Sequence, residues 1–185
     1  MRFTEETNAL DFLEKATKFI ADVERDRRAW KWVVLCLHGA LYSFAVCACK
    51  GTDYQNVVVQ NRKGEEMLIS FDSALERCEN LVNGHPLVLS TPQRSSIRRL
   101  KKDLRNNFEH YVPRGWSIEI HGMPQIAFDV LEVIRFLAIE TGTSFHLNQS
   151  QIKKVKSLVY QGKRFLRRSA LWKEGEYLQR RSKLV

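Results

Sequence analysis

An all-α helical bundle is the fold class this sequence predicts, and three observations carry the prediction. Apolar residues recur at intervals of three and four over most of the chain, the signature of helices with one buried face. The one β signal is a pair of short apolar runs on either side of a turn-prone tetrapeptide. Proline and glycine fall where helices would begin and end. With 185 residues, 44% of them apolar, the chain can build one domain with a real core and an appended element.

In chain order, residues 8–24 place Leu10, Leu13, Thr17, Ile20 and Val23 on one helical face. The basic run 25–28 leads into a long apolar helix over residues 29–50, which Gly51 ends. Val57, Val58 and Val59, then Met67, Leu68 and Ile69, flank Asn61-Arg62-Lys63-Gly64 and read as a hairpin inserted between helices. Asp72 or Ser73 can cap a short helix reaching Leu81, and residues 83–86 stop it. Thr91 followed by Pro92 starts another helix, whose buried stripe is Ile97, Leu100, Leu104 and Phe108 and whose end is Pro113 and Gly115. After an extended piece at 116–121, Pro124 opens a helix to Gly142 with the stripe Ile126, Val130, Val133, Ile134 and Leu137. From Asn148 a looser pattern follows: Ile152, Val155, Val159, Phe165 and Leu166 among basic residues.

The net charge of +9 is unevenly spread. Through residue 150 the chain carries 19 basic and 19 acidic side chains, and the remainder carries 11 against two. A second basic excess surrounds residues 94–114, where Arg94, Arg98, Arg99, Lys101, Lys102, Arg105 and Arg114 face only Asp103 and Glu109. Cationic surfaces of this kind suit RNA, with an acidic protein face as the competing partner for the tail. Cys36, Cys47, Cys49 and Cys78 form no CxxC pair and read as small buried hydrophobes in a reducing compartment, so neither a structural metal nor another cofactor is expected. The amino end lacks the basic-then-apolar pattern of a secretory signal, which makes the cytoplasm the expected location. Residues 32–49 carry no formal charge and reach the lower limit for a membrane span, but His38, Gly39, Tyr42 and Ser43 dilute the run. It reads as a bundle's central helix, with no stable membrane insertion expected.

Chemistry concentrates at Arg105-Asn106-Asn107-Phe108-Glu109-His110. A guanidinium grips phosphate oxygens in pairs and stabilises developing charge, and an imidazole exchanges protons near neutral pH. Together they suit work on a phosphodiester, and the carbonyl end of a helix suits a proton-donating imidazole. On an ideal α-helix, residues five apart point about 140° away from each other, so Arg105 and His110 of one chain diverge, whereas Asn106 and His110, four apart, converge. Glu109 reads as an exposed charge pairing with Arg105. His38, inside the apolar helix, reads as a hydrogen-bonded core histidine, and His85, His121 and His146 as loop residues. Trp30 and Trp32 read as packing residues; Trp116 and Trp172 could stack on bases or be buried at an interface.

A helical bundle with this basic late helix resembles the HEPN family over roughly residues 8–142, through Arg105, Asn106 and His110 of its Arg-x4-His mark. The resemblance implies a HEPN-like antiparallel bundle over 1–145, with a hairpin insertion at 52–71 and a basic helical tail at 146–185. It also implies a metal-independent endoribonuclease that pairs the motifs of two subunits in one cleft, as a toxin or phage-defence effector with an antitoxin or other protein partner. Catalysis would fall to Arg105, Asn106 and His110, and RNA would be held by Arg98, Arg99, Lys101, Lys102, Lys163, Arg164, Arg167 and Arg168. A tyrosine two residues beyond the histidine is a modification target in some relatives; here Tyr111 follows directly and position 113 is proline. The alternative is a non-catalytic helical module that binds nucleic acid or dimerises.

Overall fold

The computed structural model describes residues 4–110, 115–142 and 147–182, with side chains through Glu176. Tyr111, Pro113, Arg114 and His146, on which parts of the sequence reading fall, lie outside the described residues. The fold is all-α with one two-stranded hairpin.

Helix α1 (Glu5–Asp22) starts at Thr4, whose hydroxyl accepts the Thr7 amide while Thr7 returns a bond to the Thr4 amide. Helix α2 (Ala29–Lys50) ends at Gly51, whose φ of 55° favours glycine. The two run antiparallel, because Glu5 at the start of α1 pairs with Lys50 at the end of α2 and Asn8 donates to Ser43. Helix α2 is apolar on nearly all sides because α1, α3 and α6 cover it. It is long and apolar enough to cross a bilayer, and within this fold 72% of its apolar window is buried.

Strands β1 (Val58–Gln60) and β2 (Glu66–Leu68) pair antiparallel in the register Val59 to Met67, around the expected turn. Helix α3 (Phe71–Glu79) is capped by Ser70, which accepts the Ser73 amide, two or three residues before the expected cap at Asp72 or Ser73. Helix α4 (Thr91–Arg98) is likewise capped one residue early: Ser90 and Gln93 form a reciprocal capping box, so Thr91 is already helical.

Helix α4 does not continue as an α-helix through the motif. Arg99–Arg105 is a π-helical segment, and only Asn106–Glu109 (α5) returns to α geometry before the chain leaves at His110. Its stripe is nonetheless the expected one, with Ile97, Leu100 and Leu104 buried and Phe108 half-buried. Helix α6 (Met123–Ile139) buries Ile126, Val130, Val133, Ile134 and Leu137. It lies antiparallel to α4: the Ser96 hydroxyl donates to Asp129 at 2.6 Å, while Arg99 reaches Gly122.

Helix α7 (Gln149–Arg168) is a packed layer of the bundle and not a loose appendage. It runs parallel to α1, with Lys154 on Glu14 and the Thr17 hydroxyl on the Leu158 carbonyl, and it also packs on α6. The buried face is Val155, Val159, Gly162 and Leu166, whereas Phe165 is exposed. Gly162 is the residue that permits the approach, since a Cβ there would lie 3.0 Å from Leu131 Cδ1. Helix α8 (Ala170–Ser182) folds back so that Trp172 meets Phe128 of α6.

Candidate active-site cleft

The floor of the largest cleft near the motif is α2. Residues one turn apart on that helix, His38 and Tyr42, present their rings to a space of about 580 Å³. Gly39 between them has no side chain, which lets the Phe12 ring of α1 lie where a Cβ would stand 2.7 Å away. The opposite rim is the end of the hairpin and the first turn of α3: Leu68, Ser70 and Phe71. Tyr42 fastens this rim by donating its hydroxyl to the Ile69 carbonyl. The hairpin, for which sequence offered no role, therefore closes one side of the cleft.

Lys101, Arg105 and Glu109 form the remaining wall. Lys101 pairs with Asp72 and sits 5.6 Å over the Phe71 ring. The Arg105 guanidinium is held from two sides: Nη2 lies 2.5 Å from Glu109 Oε2, and Nη1 donates to the Asn106 side-chain oxygen at 3.1 Å. The expected pairing of Glu109 with Arg105 is thus present. Asn106 does not orient His110 through its side chain, as four-residue spacing suggested; it binds His110 through its backbone carbonyl and gives its amide oxygen to Arg105.

The expected divergence of Arg105 and His110 does not hold. His110 Nε2 lies 3.8 Å from Glu109 Oε2, the same oxygen that Arg105 touches. The physical reason is that an ideal α-helix does not run through the pair. Arg105 closes the π segment and His110 sits past the last helical turn at φ −128°, ψ 37°. Cation, carboxylate and imidazole therefore cluster within one chain: Arg105 and Glu109 line the cleft, and His110, 70% exposed, lies beside Glu109.

His38 departs from the sequence reading. A hydrogen-bonded core histidine was expected, but the ring is half-buried in the cleft and its Nε2, shielded from water, has no partner among the described residues. Phe71 holds the ring in a stack at 4.5 Å and 18°. Burial first, then the Arg105 and Lys101 charges, push the imidazole down to about 4, so it is neutral at pH 7. Arg105 Nε is also buried without a partner among the described residues. Two orphaned nitrogens in one cleft are unusual, because buried polar atoms are nearly always bonded.

The cations proposed to hold RNA fall on three surfaces. Arg98, Lys101 and Lys102 line a groove against α3, where Asp72, Glu76 and Glu79 oppose them. Arg99 points instead toward Gly122. On α7, Arg164, Arg167 and Arg168 line a separate groove of about 440 Å³ with Lys156 and the exposed Tyr160. Lys163 lies in that groove but is engaged with Glu132 and sits 4.5 Å over Phe128, and burial lowers its pKa. It behaves as a bundle residue more than a free cation.

Of the other candidates, Trp30 is buried as expected, but Trp32 is 47% exposed and stacks on Phe19. Trp116 packs edge-on to Phe108 of the motif turn. His85 and His121 tie loops down, His85 to the Glu140 carbonyl and His121 to Glu174. All four cysteines are buried and free, and burial raises Cys36 to about 11 and Cys47 to about 12. No cluster of three or more His, Cys, Asp or Glu side chains arranged for a metal ion occurs among the described residues. Comparison with protein families, with curated proteins and with solved structures returned no match.

Proposed function

We propose that this chain is a HEPN-type, metal-independent endoribonuclease, acting as a toxin or phage-defence effector. The observation that carries the reading is that Glu109 brings Arg105 and His110 together, with Asn106 on Arg105, and that Arg105 and Glu109 line a cleft large enough for a nucleotide. In this scheme the RNA phosphate displaces Glu109 from Arg105, whose guanidinium then stabilises the charge of the phosphorane. The 2′-hydroxyl attacks the adjacent phosphorus as its proton passes to a general base, and the bond to the 5′-oxygen breaks. His110 gives that oxygen its proton. Asn106 holds the guanidinium in register with the phosphate. Products are a 2′,3′-cyclic phosphate and a 5′-hydroxyl, so DNA is not cut.

The exposed His110 leaves room for a second copy to dock at the motif turn, and the HEPN reading expects the two motifs to share one cleft. Arg164, Arg167 and Arg168 supply a second, backbone-tracking surface. The test compares cleavage of single-stranded RNA in EDTA by wild type, Arg105→Ala and His110→Ala. Both variants should lose at least about a hundredfold in rate. Cleavage that survives both substitutions, or that stops on chelation, contradicts the mechanism. Partial recovery on mixing the two variants supports the shared site, and a strictly monomeric protein removes it.

One observation favours a binding module instead: Glu109 already neutralises Arg105. On that reading RNA binds in a salt-sensitive manner through the basic grooves and is never cut.

A further inference from the structure

We propose that His38, on the floor of the Arg105 cleft, is the general base of the reaction, which leaves His110 as the acid. The inference rests on the ribonuclease reading and assigns a residue from outside the motif. Three observations on α2 and its neighbours carry it. The ring shares the cleft with Arg105, Lys101 and Glu109. Its Nε2 has no partner among the described residues, so no structural bond occupies that nitrogen. The Phe71 stack at 4.5 Å fixes the plane of the imidazole, as a proton acceptor requires.

The O–H bond of the 2′-hydroxyl breaks and its proton passes to His38 Nε2 as the 2′-oxygen bonds phosphorus. The P–O5′ bond breaks, and the leaving oxygen takes a proton from His110. The proton on His38 then returns to water and His110 is reprotonated from water. The phosphate takes the place of Glu109 on Arg105, and the 2′-hydroxyl enters the cleft that His38 lines. Burial first, then Arg105 and Lys101, disfavour protonation of His38, and Asp72 favours it. Glu109, Tyr42 and Glu5 complete the charged and titratable lining. A bound phosphate offsets the two cations and makes the imidazole a stronger base at the moment it is needed.

The experiment measures kcat and KM for a short RNA from about pH 3 to about pH 9 with wild type, His38→Gln, His38→Ala, Arg105→Ala and His110→Ala. Folding of each is checked by far-UV circular dichroism and a urea transition. His38→Gln should stay folded, keep its KM and lose on the order of a hundredfold or more in kcat, and its kcat/KM profile should lack the acidic limb. Added imidazole should restore part of the His38→Ala rate, which no structural role would do. The proposal is overturned if folded His38→Gln keeps kcat within about threefold of wild type with its acidic limb intact, or if imidazole rescues nothing. If in addition Arg105→Ala and His110→Ala are inactive, the ribonuclease reading stands without His38. If those two variants still cut, both readings fall together.

Discussion

Acid should destabilise this protein through His38, and the size of the effect follows from its surroundings. An imidazole in water takes up its proton near pH 6.5, whereas burial, the Arg105 guanidinium and the Lys101 ammonium hold His38 down to about 4. Between those two values the unfolded chain binds a proton that the folded chain refuses. The stability contributed by keeping His38 neutral is therefore fully present above about pH 6.5 and is lost progressively as the pH falls toward 4. At 1.36 kcal/mol per unit, the loss across the window is on the order of 3 kcal/mol, with a slope of about 1.4 kcal/mol per pH unit. That is a sizeable share of a typical domain's stability. His38→Gln keeps a polar side chain of similar reach but cannot titrate. Urea unfolding of wild type and variant at several values between about pH 7.5 and about pH 4.5 isolates His38, because the distant carboxylates cancel in the difference. The stability of wild type relative to the variant should decline as the pH drops below about 6.5. Parallel curves through that range would refute the placement of His38 beside Arg105 and Lys101.

Two further outcomes follow from the packing. Asp129 is 8% exposed and accepts bonds from Ser96 at 2.6 Å and Gln125 at 2.8 Å. Ser96→Ala, which leaves that buried carboxylate short of a donor, should cost about 1–3 kcal/mol in thermal or urea unfolding, more than an exposed serine substitution would. On the α7 groove, Arg164→Ala, Arg167→Ala and Arg168→Ala should each lower the salt slope of RNA binding by about one, whereas Lys163→Ala should chiefly destabilise the fold because Lys163 is already engaged with Glu132.

Much of the architecture was legible because periodicity was strong where burial was complete. The bounds of α2, the hairpin turn at residues 61–64 and the α6 stripe all follow from apolar spacing and turn chemistry. Caps were harder, since Ser90 and Thr91 are both competent and only the return bond from Gln93 selects Ser90. The π segment left no trace in composition: Ile97, Leu100 and Leu104 fit an α stripe equally well. The burial of Asp129 has no local signal, because its hydroxyl donor Ser96 comes from another helix. Gly162 and Lys163 show why α7 seemed loose, because a contact made through a missing Cβ and a cation spent on Glu132 both look polar when counted residue by residue. The motif itself was visible as residue types. Its geometry was not, because the meeting of Arg105 and His110 at Glu109 depends on where the helix ends.

The central claim is that the Arg105 cleft cuts RNA without a metal, and the ends of the cut strands test it most directly. A defined single-stranded RNA is incubated with the protein in EDTA and the fragments are weighed by mass spectrometry. The account predicts 2′,3′-cyclic phosphate and 5′-hydroxyl termini, formed by wild type and not by His110→Ala, with no cut at a position carrying a 2′-deoxyribose. Fragments ending in 3′-hydroxyl and 5′-phosphate, or cleavage that proceeds at the 2′-deoxy position, would contradict it.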